Sequence, residues 1–292
     1  AIGVPLDLPG ADAQGVDEAM TFLRQYNIRG SVPVGRNVAV IGGGNAAIDA
    51  ARTAIRLGAE SVTVLYRRTR EEMPAYAEEI EEALQEGVKL RTLVNPESFE
   101  VKGGKVVGVV CHPMKLGEFD RSGRRHPEDA TEAGQETIPA DQVIVAIGQA
   151  LDAKAVSGGV ALEINPRGWI KADPRTGATS APWVFAGGDD VTGPSSVVEA
   201  IAAGERAAVA IGRMLAGEDQ SFWRGYHDAG ASFDPDADPV PWSRERLQTI
   251  PLEKRRQNFA EVEQPWNEAT AVRQAKRCLR CDYGKQTCDH EG

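Results

Sequence analysis

Apolar residues recur along this chain at two spacings, and their order predicts alternating strands and helices. Residues 38–41 form an unbroken apolar run, which is typical of a buried parallel strand. Three glycines follow, after which Ile48, Ala51 and Ile55 repeat at the 3.6-residue period of a helix. A further glycine ends that helix, and residues 61–66 form a second apolar run. The pattern predicts a strand–helix–strand unit in an α/β fold.

The same periods predict the remaining elements and one irregular stretch. Helices are predicted at 16–26, 71–85, 196–215 and 268–280, strands at 88–93, 98–101, 106–111, 143–147 and 184–187, and a small β segment at 162–174. Residues 117–135 are polar and show no period, which predicts a loop or irregular excursion. From residue 217 onward, prolines and tryptophans scattered among acidic residues predict an extended arm along the surface.

The glycines after the first strand have the spacing Gly42-x-Gly44-x-x-Ala47, which is typical of a dinucleotide-binding turn. The first glycine permits the tight turn, the second lets backbone N–H groups approach a pyrophosphate, and the small third residue lets helix and strand pack closely. The phosphates would then lie at the positive end of the helix. An ordinary strand–helix turn is the alternative. The strand predicted at 61–66 decides against it, because it completes a βαβ unit.

Arginines follow the second strand at the position that selects the coenzyme. A site for NAD(H) usually has an acidic residue about 20 residues beyond the glycines, where it binds the ribose 2′-hydroxyl. This chain has Arg67, Arg68 and Arg70 there instead, and guanidinium groups can hold a 2′-phosphate through paired hydrogen bonds. A solvated basic turn is the alternative. The pattern favours NADP(H) over NAD(H), with Arg67 and Arg68 ahead of Arg70.

A second glycine pair, at positions 187 and 188, lies at the end of a predicted strand. Asp189 follows it, at the carboxyl end where open α/β sheets bind ligands. This carboxylate is a candidate for a hydrogen bond to a sugar or ribityl hydroxyl, and the alternative is a carboxylate that caps a loop. The long helix that begins near residue 196 would point its N–H groups at an electron-rich ring edge or a phosphate.

Composition and charge limit the classes of partner. Of the 292 residues, 41% are apolar and 26% charged, as in ordinary globular proteins. A net charge of −10 argues against general nucleic-acid binding. The sequence has no run of 18 apolar residues and no signal peptide, so neither a membrane span nor secretion is expected. Four cysteines do not make a disulfide framework for a chain of this size, which favours a reducing cytoplasm.

Three of the cysteines lie close together near the C-terminus. Cys278 and Cys281 have the Cys-x-x-Cys spacing with which two thiolates grip one metal, and Cys288 follows seven positions later. Three ligands are one short of a 4Fe–4S cluster or a closed zinc site, so Cys111, His290 or a partner chain would supply the fourth. A cluster, a zinc ion and free surface thiols are all left open by the sequence.

The order of these motifs resembles the flavin-dependent pyridine nucleotide oxidoreductases of the glutamate synthase small-subunit type. It is similar too to the larger subunit of the NADH-dependent ferredoxin:NADP oxidoreductases. The resemblance covers about residues 1–215. The segments that carry it are 42–47, 66–75, 116–118, 122–125, 143–148, 184–189 and the helix from 196.

This resemblance implies a Rossmann-like three-layer NADP-binding domain, the C-terminal half of an FAD-binding Rossmann-like domain, and an extended C-terminal arm. NADP(H) would lie on the glycine turn with the arginines at its 2′-phosphate, and FAD would lie at the second glycine pair and the long helix. Gly148 would mark the crossover between the domains, and Val197 and Val198 would lie by the flavin ring. The implied cofactor-binding residues are Gly42, Gly44, Asn45, Ala46, Arg67, Arg68, Gly148, Gly188, Asp189, Val197 and Val198.

The resemblance also divides the chain into four parts. Residues 1–30 are a junction, 31–149 the NAD(P)-binding domain, 150–216 the FAD-domain half and 217–292 the arm. In the family, a first glycine turn for the ADP part of FAD precedes everything seen here. We therefore expect a fragment, or one product of a split gene, with a complete NADP site and half of an FAD site. The sequence has no Cys-x-x-Cys ahead of the nucleotide turn, which argues against a disulfide reductase.

Three functional hypotheses follow from the sequence. The first is an enzyme that passes hydride between NADP(H) and FAD and exchanges electrons with an iron–sulfur or ferredoxin-like partner. It needs no side-chain acid or base, because the cofactors carry the chemistry. The second is a non-autonomous electron-transfer or scaffold subunit that docks on a larger redox complex through its arm, so a hetero-oligomer is expected. The third is a glutamate synthase small subunit proper.

Overall fold

The computed structural model describes residues 2–119, 123–130, 134–217, 243–255 and 258–277. Within these ranges the strands are β1 (Ile2–Gly3), β2 (Val16–Glu18), β3 (Asn37–Ile41), β4 (Ser61–Tyr66), β5 (Lys89–Thr92), β6 (Val94–Lys102), β7 (Lys105–Phe119), β8 (Arg125–Asp129), β9 (Glu136–Pro139), β10 (Gln142–Val145), β11 (Gln149–Ala150), β12 (Gln248–Thr249) and β13 (Glu263–Gln264). The α-helices are α1 (Ala19–Arg29), α2 (Asn45–Arg56), α3 (Ala77–Gln85), α4 (Ala153–Ser157), α5 (Asp189–Thr192), α6 (Val197–Ala216) and α7 (Glu268–Ala275), and short 3₁₀ turns lie at Arg70–Glu72 and Leu252–Lys254.

Five parallel strands form the central sheet, in the order β2-β10-β3-β4-β5. Ile41, at the end of β3, lies opposite Val145 of β10 on one side and Leu65 of β4 on the other. The carboxyl ends of these three strands therefore meet at one edge of the sheet. Because the chain passes from β3 to β4 and later returns to β10 on the other side, this edge contains the point where the strand order reverses. Open sheets of this kind bind their ligands at such a point.

Alternate residues of β3 face different layers, as the two-residue period of a strand requires. Val38 and Val40 pack into one apolar cluster with helices α1, α2 and α3. Ala39 and Ile41 pack into a second cluster with β6 and β7. The parallel sheet thus lies between a layer of helices and a layer of antiparallel strands. This arrangement confirms the predicted three-layer α/β fold.

The irregular excursion predicted at 117–135 is wrong, because much of that stretch is a β-hairpin. Strand β7 continues to Phe119 and pairs antiparallel with β8, with Lys115 opposite Glu128 and Leu116 opposite Pro127. Most side chains of β8 and of the end of β7 are exposed. Because both faces of this hairpin are exposed to solvent, its sequence lacks the alternation of apolar and polar residues that marks a strand. The sequence pattern therefore did not reveal it.

Two predicted helices begin later than the sequence indicated. The helix predicted from 71 begins at Ala77, because Met73 precedes Pro74 and takes the extended conformation that a following proline favours (ψ 130°). The helix predicted from 16 begins at Ala19, because Val16–Glu18 is an edge strand beside β10. The side chain of Glu18 then caps the helix by accepting hydrogen bonds from the backbone N–H groups of Met20 and Thr21.

The segment from 150 to 217 is built around the long helix α6. Its predicted start is confirmed: Ser196 caps the helix, and Glu199 completes a capping box. The buried strand predicted at 184–187 is instead an extended segment with a single antiparallel bridge between Ala178 and Phe185. No further strand flanks it in the described residues, so it stays half-exposed. None of the residues of α6 is buried within the described part of the chain.

Residues 243–255 and 258–277 fold back over the helical layer, and we call these two segments the C-terminal strap. Strands β12 and β13 pair within it, and α7 follows. The ring of Phe259 stacks on Tyr26 of α1, with centroids 4.2 Å apart, and Val262 is buried. The closing helix predicted at 268–280 is thus present over Glu268–Ala275, and the rest of its predicted length from 278 lies outside the described residues.

No helix in the described ranges is long and apolar enough to cross a membrane.

A buried ion cluster joins α2 to α3 beneath the strap. Arg52 contacts Glu82 and Glu86 at 2.7 and 2.8 Å, and Arg56 contacts Glu86 at 2.6 Å. The side chain of Glu86 is only 1% exposed. Burial raises the pKa of Glu86, but hydrogen bonds from Arg56 and Arg52 outweigh burial, so the pKa lies below the usual range of a glutamate.

We expect Glu86→Gln to lower the free energy of unfolding by about 3 kcal/mol, because it leaves two largely buried guanidinium groups without their shared carboxylate. The pKa of Glu86 is depressed in the folded state, so its contribution is present at neutral pH and is lost on acidification. The difference between variant and wild type should therefore shrink below about pH 4. Urea unfolding followed by circular dichroism at pH 7 and pH 3.5 measures both effects.

Glu60→Gln is the matched control, because Glu60 pairs with Arg36 on the surface at 2.8 Å with both side chains more than half exposed. We expect it to leave the unfolding midpoint unchanged. Equal losses in the two variants would contradict a special role for the buried cluster.

Candidate functional site

The glycine turn after β3 fits closely between the ends of its two neighbouring strands. The N–H of Gly42 donates to the carbonyl of Leu65 in β4 at 3.0 Å, and the N–H of Ala146 donates to Ile41 at 2.8 Å. Gly42 has a φ of +143°, which favours glycine. A Cβ at this position would collide with the carbonyl oxygen of Ala146. The chain can therefore turn here only without a side chain.

Gly44 is different, because open space lies beside it. It caps α2 with φ −90° and ψ 175°, values that most residues adopt. The nearest described atom to a Cβ at this position would be Cγ of Pro74, at 4.0 Å. The N–H groups of Asn45 and Ala46 belong to the first turn of α2, where backbone donors have no partner within the helix. Open space beside free N–H groups at the positive end of a helix fits a pyrophosphate.

Asn45 has a role that sequence analysis missed. Its Oδ1 accepts a hydrogen bond from the N–H of Tyr76 at 3.0 Å, and the carbonyl of Gly43 accepts one from Ala75 at 3.1 Å. These bonds fix the turn that Pro74 begins beside the glycines. Residues 73–76 therefore border the open space beside Gly44 and the first N–H groups of α2, and we call this space the cradle. The proline was the only sequence signal for this turn.

The three arginines predicted to meet a 2′-phosphate occupy different environments. Arg67 is exposed directly after β4, next to the strand that bonds Gly42. Arg68 is only 6% exposed, and its Nε donates to the carbonyl of Arg125 at 2.7 Å. Arg70 pairs with Glu81 at 2.9 Å on the surface. The position of Arg68 at a phosphate stays a prediction; in the structure this side chain is buried, and its Nε is bonded to the backbone of the β7–β8 hairpin.

The second group of predicted residues meets in a groove of about 370 Å³ between the 185–190 loop and α6. Gly188, Asp189 and Val197 line it, and Gly188 has a φ of +68°. Val198 follows at the start of α6, and both valines are about three-quarters exposed. The groove opens at the capped N-terminus of the helix, as expected for a ligand that accepts hydrogen bonds there.

Gly148 lies two residues after Ala146, where the chain leaves the central sheet. Its φ is +142°, and its carbonyl accepts a hydrogen bond from Val4 at 3.0 Å. Directly after it, β11 pairs antiparallel with β1, with Ile2 opposite Ala150. Two chain segments, β1 and β11, therefore run antiparallel beside each other directly after Gly148.

The predicted metal ligands Cys278, Cys281 and Cys288 lie outside the described residues. Cys111, considered as a fourth ligand, is fully buried between the two sheets, and burial raises the pKa of its thiol to about 12. A buried thiol of this kind is inert, so Cys111 is not available as the fourth ligand. Within the described ranges, no group of three or more His, Cys, Asp or Glu residues is arranged to hold a metal ion.

Comparison with known proteins decides the family. The family model described as pyridine nucleotide-disulphide oxidoreductase matches residues 2–204, which contain both glycine sites. The chain belongs to this family. The match confirms the resemblance inferred from the sequence, and it includes every predicted cofactor-binding residue but none of the three C-terminal cysteines.

Curated relatives in the family are longer than this chain. It is 43% identical to the beta subunit of the NADP⁺-dependent formate dehydrogenase of Moorella thermoacetica, over 91% of this chain and 39% of that protein. It is 42% identical to the small chain of glutamate synthase (NADPH) of Escherichia coli, over 62% of this chain and 39% of that one. The chain thus spans about two-fifths of these two relatives.

The fold is also that of a solved structure. The FprA protein of Mycobacterium tuberculosis in complex with NADPH superimposes with a TM-score of 0.56 and 20% identity, over 76% of this chain and 65% of that one. At this identity the similarity establishes the fold alone. It agrees with the Rossmann-like arrangement described above.

The two glycines of the turn give opposite predictions. We expect Gly42→Ala to destabilise the protein by about 3 kcal/mol, because a Cβ collides with Ala146 at a φ that favours glycine.

We expect Gly44→Ala to cost less than about 1 kcal/mol, because its backbone and surroundings accept a methyl group. That methyl group would nevertheless fill the cradle and weaken NADPH binding at least tenfold. Thermal unfolding and calorimetric titration separate the two effects, and unchanged NADPH affinity in a folded Gly44→Ala variant would contradict the cradle.

Proposed function

We propose that this chain carries the NADP(H) site of an FAD-dependent oxidoreductase, in which hydride passes between NADP(H) and flavin and electrons are exchanged with an iron–sulfur partner. The observation that carries the proposal is the cradle at Gly44: open space beside the first N–H groups of α2, at the reversal point of a parallel sheet. Family membership and the NADP-dependent relatives support it.

At the NADP(H) end, the chain binds and orients the coenzyme. Backbone N–H groups of Asn45 and Ala46 would hold the pyrophosphate, and Arg67 would meet the 2′-phosphate at the exposed end of β4. An exposed guanidinium at this position supports NADP(H) over NAD(H), since the latter offers only a hydroxyl there.

At the flavin end, the chain supplies part of a binding surface. Asp189 would accept a hydrogen bond from a ribityl hydroxyl, and the first turn of α6 at Val197 would face the polar edge of the flavin ring. A bound flavin would supply the hydride chemistry with the nicotinamide, so this chain would need no acid or base of its own. The paired crossing strands at Gly148 would connect the two ends.

The proposal extends to partners and location. The relatives are a beta subunit and a small chain, which supports a hetero-oligomer with an iron–sulfur redox subunit. Cys278, Cys281 and Cys288 would hold a 4Fe–4S cluster, completed by a further ligand. A cytoplasmic location is supported by the free thiol of Cys111.

A second candidate, a non-autonomous subunit that binds flavin only beside a partner, is favoured by one observation. Val197 and Val198 are about three-quarters exposed at the groove, and none of the residues of α6 is buried in the described part of the chain. Flavin absorbance of the isolated chain distinguishes the two candidates. A yellow chain that NADPH bleaches supports the enzyme, and a colourless chain that gains flavin only with a partner supports the subunit.

For the coenzyme, we expect Arg67→Ala to weaken NADPH binding about tenfold and to leave NADH binding unchanged, because only NADPH carries the 2′-phosphate. Calorimetric titration of the full chain with each coenzyme measures this. Arg36→Ala is the control, since Arg36 is an exposed arginine paired with Glu60 at the other end of β3. Equal affinity of the wild type for the two coenzymes, or no binding of either, would refute the proposal of an NADP(H) site.

A further inference from the structure

The β7–β8 hairpin returns to the end of β4, where the coenzyme arginines lie. Arg125 begins β8, and its carbonyl accepts the hydrogen bond from Arg68 at 2.7 Å. Arg68 is the sequence neighbour of Arg67, so one buried side chain spans the gap between the exposed arginine and the hairpin. Arg67 is therefore one residue away from the side chain that bonds the backbone of Arg125.

Glu72 fixes the position of Arg125. Its Oε2 accepts hydrogen bonds from the N–H and hydroxyl of Thr69 at 3.2 and 2.8 Å. Its Oε1 accepts from the N–H and Nε of Arg125 at 3.3 and 3.2 Å. Burial raises the pKa of Glu72, but these hydrogen bonds outweigh burial and the pKa lies below the usual range, so the carboxylate is charged at neutral pH.

The contact with Glu72 engages only the Nε side of the Arg125 guanidinium. The four N–H donors of the two Nη groups remain on a side chain that is 45% exposed. A phosphate monoester offers three strong acceptor oxygens, more than one guanidinium satisfies. On the segment of Arg67, the Nε of Arg68 is bonded to the hairpin backbone and Arg70 is paired with Glu81, so the hairpin is the place to look for a further guanidinium.

We propose that Arg125 is a second residue that reads the 2′-phosphate of NADP(H), opposite Arg67, and that Glu72 is the positioning residue that orients it. This inference rests on the proposed NADP(H) site. It makes the β7–β8 hairpin, which continues out of the antiparallel layer, a wall of the coenzyme site. Specificity would then come from two chain segments that lie more than fifty positions apart.

The test compares two probes that differ only in the 2′-phosphate: adenosine 2′,5′-bisphosphate and adenosine 5′-monophosphate. We expect Arg125→Ala in the full chain to weaken the bisphosphate about tenfold and to leave the monophosphate unchanged, as judged by calorimetric titration. Arg125→Lys keeps the charge but loses the planar fork, so we expect about a threefold loss for the bisphosphate alone. The lysine variant also decides the question if the alanine variant does not fold.

Two further variants separate orientation from charge. Glu72→Gln should reduce bisphosphate affinity about threefold with no change for the monophosphate, since Arg125 loses its charged anchor. Lys115→Ala is the control, because Lys115 is on the same hairpin but pairs with Glu128 at 3.8 Å. It removes one positive charge and should leave the ratio of the two affinities unchanged.

The outcomes are distinct. If wild-type protein prefers the bisphosphate and Arg125→Ala keeps that preference, or weakens both probes equally, the inference about Arg125 is overturned while the NADP(H) site stands. If the wild type shows no preference, or binds neither probe, the NADP(H) proposal and this inference fail together. An equal loss of preference in Lys115→Ala would show a general charge effect and would also overturn the assignment.

Discussion

The structure depends on one close approach, between the glycine turn after β3 and the carbonyl of Ala146 after β10. Because Gly42 has no side chain, the two strand ends can lie side by side, and α2 can begin directly at the edge of the sheet. The direction of α2 determines where its free N–H groups point, and the adjacent end of β4 determines where Arg67 lies. The proposed coenzyme site is thus a property of the sheet edge and needs no side chain at its centre.

Around this edge, the chain uses segments that are far apart in sequence. Residues 73–76 are fixed to the glycine turn through Asn45, and the β7–β8 hairpin is fixed to the loop after β4 through Arg68 and Glu72. Both attachments include hydrogen bonds between a side chain and the backbone, which hold a loop at a defined position. The first turn of α2 provides the backbone donors, and these loops lie around it.

Local signals explain which features the sequence revealed. The βαβ unit, the glycine spacing and the Ser196–Glu199 start of α6 follow from short-range backbone requirements, and they were predictable. The burial of Arg68 was not, because three arginines within four residues look alike until the hairpin that covers one of them is known. The hairpin itself was hidden by its polar composition. The open face of α6 was equally hidden, since apolar residues at helical spacing do not say what covers them.

The C-terminal strap has a mechanical consequence for α2. This twelve-residue helix, about 18 Å long, starts at Gly44, and its later turns at Arg52 and Arg56 line the cleft that Phe259 and Val262 close. The strap therefore packs on the same helix whose first turn lies at the sheet edge, so the C-terminal segments and the glycine turn are joined through one continuous element.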